Sequence, residues 1–244
     1  MTSVYISNES IQIAVGQRRG KQLVVKQVVT EPVAEGSIIN GVITDAETLK
    51  GQLSNMRKEY GLPSRGLKLL IDSSSVSTKL VTLPNLSKQE YMLKLLRDSF
   101  PEDSEAVFDY KPLRPAPDGG VTVLGCMTER AFVESYIELF AGAGLRLSAI
   151  DIALDAVIRL TQFCRGLCER TFILSLIDRN TVSLFLFTDG QYRFSSRQRV
   201  IAARGTGSSR RSLRKCSLPL CSSIARSKVA RYPTSISAGS PIPR

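Results

Sequence analysis

Residues 36–45 read Gly36-Ser37-Ile38-Ile39-Asn40-Gly41-Val42-Ile43-Thr44-Asp45. This apolar run, interrupted by Asn40-Gly41, leads directly into a helix start. Thr44-x-x-Glu47 has the capping-box spacing, in which each side chain satisfies the other residue's backbone N–H. The spacing predicts a helix over 44–60, with Leu49, Leu53, Met56 and Tyr60 on one face and Gly61 and Pro63 ending it. Upstream lie three β-like runs, 3–7, 11–16 and 22–29. Ile11, Ile13 and Val15 alternate as a half-buried strand requires, and Gln17-Arg18-Arg19-Gly20 is read as the turn into the third run. A loop rich in Glu, Pro and Gly, 31–36, separates them from the opening stretch.

Downstream, 68–72 reads as a short buried strand. Residues 76–83 form a strand stopped by Pro84, and Ser87-x-x-Glu90 opens a second capped helix with Met92, Leu95, Leu96 and Phe100 in one stripe. Strands 106–113 and 121–127 follow, joined through Pro117-Asp118-Gly119-Gly120. This strand–helix–strand–strand block reads as an inserted subdomain. A third helix spans 129–142, with Phe132, Tyr136, Leu139 and Phe140 inward and Gly144 as its C-cap. Strand 145–152 comes next. The fourth helix is read over 153–168, with Leu154, Val157, Ile158, Thr161 and Cys164 on one side. Strands 172–177, 181–187 and 191–197 close the pattern, and Asp189-Gly190 is the strongest short hairpin signal in the chain. A β meander, alternating α and β units and the start of a second meander together indicate an α/β architecture in which the first motif begins again.

The chain has 244 residues, 33 Lys+Arg against 22 Asp+Glu, and a net charge of +11. Residues 205–244 hold eight of the basic residues and no acid, so residues 1–204 carry only +3. The basicity belongs to the tail. There is no histidine, which excludes Ser-His-Asp and Cys-His catalysis and any His-ligated metal. No signal-peptide pattern opens the chain and no run approaches 18 apolar residues. Five cysteines form no disulfide framework, so a reducing cytoplasm is the expected compartment.

The opening stretch, together with Ser77-Thr78-Lys79-Leu80-Val81-Thr82-Leu83-Pro84, Phe108-Asp109-Tyr110 and Ala143-Gly144-Leu145 followed by Ile150-Asp151, resembles the PilM family of type IV pilus assembly proteins and, more distantly, FtsA. The likeness runs over 4–204. It implies an actin-like (ribonuclease H-like) α/β fold with a strand–helix–strand–strand subdomain inserted and an incomplete second half. By this resemblance, 1–73 and 128–169 form subdomain 1A, 74–127 subdomain 1C, and 170–204 the start of 2A.

The family also implies an ATP/Mg site built from two phosphate hairpins, each with an Asp-x-Gly pattern, because Gly lets backbone N–H groups approach phosphate and Asp positions magnesium. Here Tyr5 stands in place of the Asp, Ser7 of the Gly and Gln12 of a Lys. In the second hairpin, Ser175-Leu176-Ile177 falls at the pattern and Asp178 lies three residues out of register. Residual nucleotide contacts would fall to Ser7, Asn8, Ser10, Gln12, Asn180 and Thr181. A scaffold whose hairpin turns bind no nucleotide accounts better for both departures, so no cofactor is expected. The resemblance further implies a non-enzymatic cytoplasmic adaptor at the inner membrane's inner face. It would hold the N-terminal peptide of a PilN-like membrane protein in a groove assigned to Lys79, Leu80, Val81, Thr82, Phe108 and Tyr110, among other pilus assembly platform proteins. An ATP-binding actin-like ATPase is the first rival.

Other features carry less. Cys164 and Cys168, spaced i, i+4 on the fourth helix, read as packing thiols rather than metal ligands. Glu102, Asp103 and Glu105 read as a solvated loop, and Arg197 and Arg199 as an edge-strand face. The basic tail suggests nucleic-acid binding, yet it offers only Tyr232 for base stacking. Ten of its forty residues are Ser, four are Pro, and no period survives, as in a disordered arm. A two-base shift of frame permits IKSGTLPDIYLCGLADT over 226–242 and the acidic stretch QLEAESEEML near 208–216, both like a continuing PilM chain. The expectation is that the native product leaves this frame near Arg204. The nucleotide sequence tests it: an open alternative frame should continue past codon 204, and a stop soon after codon 205 would sink the idea.

Overall fold

The computed structural model describes residues 1–20, 22–178 and 181–199. The tail readings and Asn180 lie outside them. The described elements are β1 (Thr2–Ile6), β2 (Ser10–Arg19), β3 (Gln22–Pro32), β4 (Ile38–Ile39), β5 (Val42–Ile43), α1 (Ala46–Glu59), β6 (Arg65–Ile71), β7 (Ser77–Leu83), α2 (Gln89–Arg97), β8 (Ala106–Pro115), β9 (Val121–Glu129), α3 (Arg130–Gly142), β10 (Arg146–Ile152), α4 (Ala153–Phe163), β11 (Phe172–Asp178), β12 (Thr181–Thr188) and β13 (Gln191–Arg199). They form two compact units. One comprises Met1–Phe172 with Leu186–Arg193, the other Ile173–Phe185 with the described residues from Phe194 to Arg199.

In the first unit a five-stranded sheet runs in the order β10-β6-β1-β2-β3. β1, β2 and β3 pair antiparallel as the meander predicts, whereas β6 lies parallel to both β1 and β10. Parallel neighbours require crossovers. α1 lies within the connection from β3 to β6, and α3 within the one from β6 to β10. Their apolar stripes meet one face of the sheet: Leu49, Leu53 and Met56 of α1 and Tyr136, Leu139 and Phe140 of α3 join Val4, Ile6, Ile11, Ile13, Leu67 and Leu69 in one buried core. Burying each such side chain contributes about 1.5–3 kcal/mol.

The block between β6 and α3 forms its own sheet, β7-β9-β8, wholly antiparallel. α2 covers one face, with Met92, Leu96 and Phe100 on Leu83 and Val123. Gly125 of β9 admits this contact, since a Cβ there would sit 2.4 Å from Leu96 Cδ1. β11, β12 and β13 make a three-stranded sheet in that order. Asp189 and Gly190 both take positive φ, 52° and 69°, as the Asp-Gly hairpin signal requires.

Four local readings are corrected. The α1 N-cap is Asp45, not Thr44: its carboxylate accepts from Thr48 N at 3.1 Å and Thr48 Oγ1 at 2.6 Å, which holds the Asp45 carboxyl below its usual 3.8. A carboxylate also complements the helix dipole, and the Thr44 hydroxyl instead donates to the Gly36 carbonyl. α2 has Lys88 at its N-cap with no side-chain cap bond, so Ser87 does not cap it. β2 continues to Arg19, so 17–20 is not the turn. A bulge at Val15/Gly16 keeps the pairing going, and the chain reverses after Gly20, at φ 59°. α4 stops at Phe163 because Cys164 is extended, at ψ 100°. Its buried stripe ends at Thr161, and Gly166 disfavours a further turn. Cys164 and Cys168 therefore do not share a helix face.

The quoted stretch is fixed from three sides. Tyr136, fully buried, donates to the Gly41 carbonyl at 2.6 Å. Gly41 N donates to Asn8 Oδ1 at 2.9 Å, and Ser73 Oγ donates to the Asn40 carbonyl at 2.7 Å. Gly41 has φ 82°, and a Cβ there would lie 2.4 Å from Ser73 Cβ. Tyr136→Phe should therefore cost about 1–3 kcal/mol, since it strands a buried carbonyl. Gly41→Ala should cost more, because it adds a clash to a backbone that L-residues avoid. Urea unfolding of both variants checks the order.

Candidate functional site

The first hairpin brings Ser7, Asn8, Ser10 and Gln12 together, but it turns their polar groups inward. Ser7 and Ser10 are 2% and 5% exposed. Ser7 Oγ accepts from Glu9 N at 3.2 Å and Ser10 N at 3.1 Å, while Ser7 N donates to the Ser10 carbonyl at 3.0 Å. Gln12 Nε2 donates to Ser10 Oγ at 3.4 Å, and Asn8 is committed to Gly41. Three of the turn's backbone N–H groups are thus engaged within it: Glu9 and Ser10 by Ser7 Oγ, and Ser7 by the Ser10 carbonyl. Thr181 opens β12, half-buried, in the second unit.

The six groove residues are not brought together. β7 and β8 lie at opposite edges of their sheet with β9 between them. Register decides the faces: Lys79 pairs with Gly125 and Val81 with Val123, while Phe108 pairs with Met127 and Tyr110 with Gly125. These four side chains look toward α2. Lys79 Nζ donates to the Ser99 carbonyl at 2.7 Å and lies 5.2 Å from the Phe100 ring centre. Phe108 meets Phe100 edge-on at 5.9 Å. Leu80 and Thr82, paired with Leu124 and Thr122, occupy the opposite face.

That second face carries a charged cluster that the sequence reading passed over. Lys111 of β8 pairs with Asp155 of α4, and Asp155 also meets Arg159, which reaches Asp151 at 2.8 Å. Asp155 is 5% exposed, so it needs both cations. The signal was present in part as the i, i+4 spacing of Asp155 and Arg159 on α4; Asp151 lies on β10. What the sequence does not give is Lys111, which lies 44 residues away. Burial, then the Asp155 charge, raises the Asp151 carboxyl above 3.8. Burial and then Asp109 push the neighbouring Cys126 thiol up to about 11, which keeps it protonated and unreactive at neutral pH. Among the described residues no group of three or more metal-binding side chains occurs. The cluster is an electrostatic tie between the inserted sheet and α4.

The sequence profile described as type IV pilus assembly protein PilM matches residues 3–202. The chain belongs to the PilM family. Among solved structures it resembles a chain of a "PilM-PilN type IV pilus biogenesis complex", with a TM-score of 0.74 and 16% identity, covering 93% of this chain and 75% of that one. It also resembles a protein of actin-like ATPase fold and unknown function from Bacteroides thetaiotaomicron, with a TM-score of 0.52 and 11% identity, covering 92% and 76%. No curated protein matches it in sequence. The fold is therefore actin-like, and the chain is a member of a pilus assembly family. No helix among the described residues is long and apolar enough to cross a membrane.

In this PilM-family chain, Asp155→Ala should destabilise more than Lys111→Ala, which should cost about 1–3 kcal/mol. The first leaves two cations without their shared carboxylate; the second leaves Asp155 with Arg159. Because the folded Asp151 carboxyl is raised, the native state holds the proton more tightly than the unfolded chain does. Its contribution to stability thus falls as pH rises from 3.8 through the raised value. Asp151→Asn should flatten that decline, read as urea midpoints between about pH 4 and 7.

Proposed function

We propose that the chain is a non-enzymatic cytoplasmic adaptor of the type IV pilus assembly platform, holding the extended N-terminal segment of a PilN-like inner-membrane protein at the inserted sheet. The observation that carries this reading is the asymmetry of the sheet's edges. β8 is blunted by Pro112 and Pro115 and by a register shift between Pro112 and Arg114. β7 has no proline over 77–83, and among the described residues no strand pairs along its other side. An open, proline-free edge is what a peptide adds to when main-chain bonds supply affinity and alternate side chains supply specificity. The peptide's side chains on one face would meet Leu80 and Thr82. The chain would then reach the membrane's inner face through its partner.

Nucleotide plays no part in this reading, which is supported by the engagement of Ser7 N, Glu9 N and Ser10 N within the first hairpin. Titration of the chain with Mg-ATP should release no binding heat. Micromolar binding would favour the ATPase instead, with Ser7, Asn8, Ser10, Gln12 and Thr181 as its contacts. For the adaptor, a fluorescent PilN-type N-terminal peptide should bind the chain. Leu80→Asp should weaken binding by about tenfold or more, a loss of at least ~1.4 kcal/mol. Tyr110→Ala, on the α2 face, should leave affinity within about twofold. Equal losses from both variants, or no binding to the unsubstituted chain, would count against the reading.

A further inference from the structure

The β2–β3 hairpin carries a surface that neither the core nor the peptide reading uses. Register places Ala14, Gly16 and Arg18 of β2 opposite Val28, Val25 and Leu23 of β3, so all six lie on one face of the sheet. The opposite face holds Ile11 and Ile13 in the core and Val29 packed against it. Leu23, Val25 and Val28 are 58%, 53% and 65% exposed. Arg18 shares this face and Lys26, next to Val25 in the chain, is exposed; the sequence of residues 10–30 adds Arg19 and Lys21 and holds no acid at all, in a chain with 22 acidic residues.

We propose that this face rests on an anionic phospholipid surface. The stripe lies across two strands, so its partner must cover a face rather than extend an edge. A strand added to β3 would use the edge amides and carbonyls and leave most of the stripe in water. A second copy of the hairpin would set a basic segment without acids against its own like charges. Exposed aliphatic side chains ringed by Arg and Lys are the composition that an anionic bilayer accepts. The apolar groups enter the headgroup boundary and the cations meet the lipid phosphates. The contact would act beside the membrane partner, giving the chain a second, independent hold on the bilayer.

The chain has no tryptophan, so Leu23→Trp in the full chain places one reporter on the face. Vesicles of phosphatidylglycerol with phosphatidylcholine should shift its emission to the blue at low salt, and the shift should fade as salt rises. Pure phosphatidylcholine should leave it unmoved. Adding Arg18→Glu and Lys26→Glu should weaken partitioning about tenfold or more, since each base near such a surface is worth about 1 kcal/mol. The thermal midpoint should stay constant, because both side chains are exposed. Sedimentation with vesicles without a blue shift would assign binding to the basic tail and overturn the proposal. A shift produced by polyglutamate but not by vesicles would replace the lipid with an acidic protein. A shift that follows protein concentration without lipid would replace it with a second copy.

Discussion

The hydroxyl of Tyr136 and the carbonyl of Gly41 hold the first unit together at its least regular point. The segment from 36 to 45 has little secondary structure of its own, only two-residue strands, yet it must deliver α1 onto the sheet. Tyr136 binds it from α3, Asn8 from the first hairpin and Ser73 from the end of β6. Burial raises the Tyr136 hydroxyl's pKa, so it remains a neutral donor. The first hairpin is part of this fastening. Asn8 is spent on Gly41, and Ser7 is spent on its own turn.

A second constraint is the single missing side chain at Gly125. It lets Leu96 sit directly on the centre of the inserted sheet, which fixes α2 to one face. The other face is then left for Leu80 and Thr82 and for the ion pairs that tie β8 to α4. Both faces being committed, the sheet's free resource is an edge, and of its two edge strands β7 lacks prolines while β8 has two. A partner-binding reading therefore falls on β7 through the packing of residues that touch no partner.

Much of the fold was legible in the residues. The stripes Leu49-Leu53-Met56 and Phe132-Tyr136-Leu139-Phe140 marked helices whose buried faces are those residues. The alternation of Ile11 and Ile13 marked the core face of β2, and Asp189-Gly190 marked a hairpin. Legibility failed where two local solutions compete at similar cost. Asp45 and Thr44 are both residue types that cap helices, and Asp45 takes the role because Thr44 is drawn to Gly36 across the loop. The end of α4 depends on where its apolar stripe leaves the protein interior, not on the helix period.

The candidate sites divide in the same way. The sequence by itself determined that Ser7, Asn8, Ser10 and Gln12 share one turn, that β7 carries no proline, and that residues 10–30 carry no acid. Each is a statement about neighbours in the chain. Only the tertiary structure decided which of those groups are spent and which are available. Lys79 and Phe108 turn toward α2 because strand register assigns alternate residues to opposite faces, and register is set between strands. Asp155 meets Lys111 across 44 residues because a buried carboxylate demands a cation from whatever element packs against it. The exposed stripe of Leu23, Val25 and Val28 exists because α1 and α3 cover one face of the sheet and leave these side chains uncovered on the other.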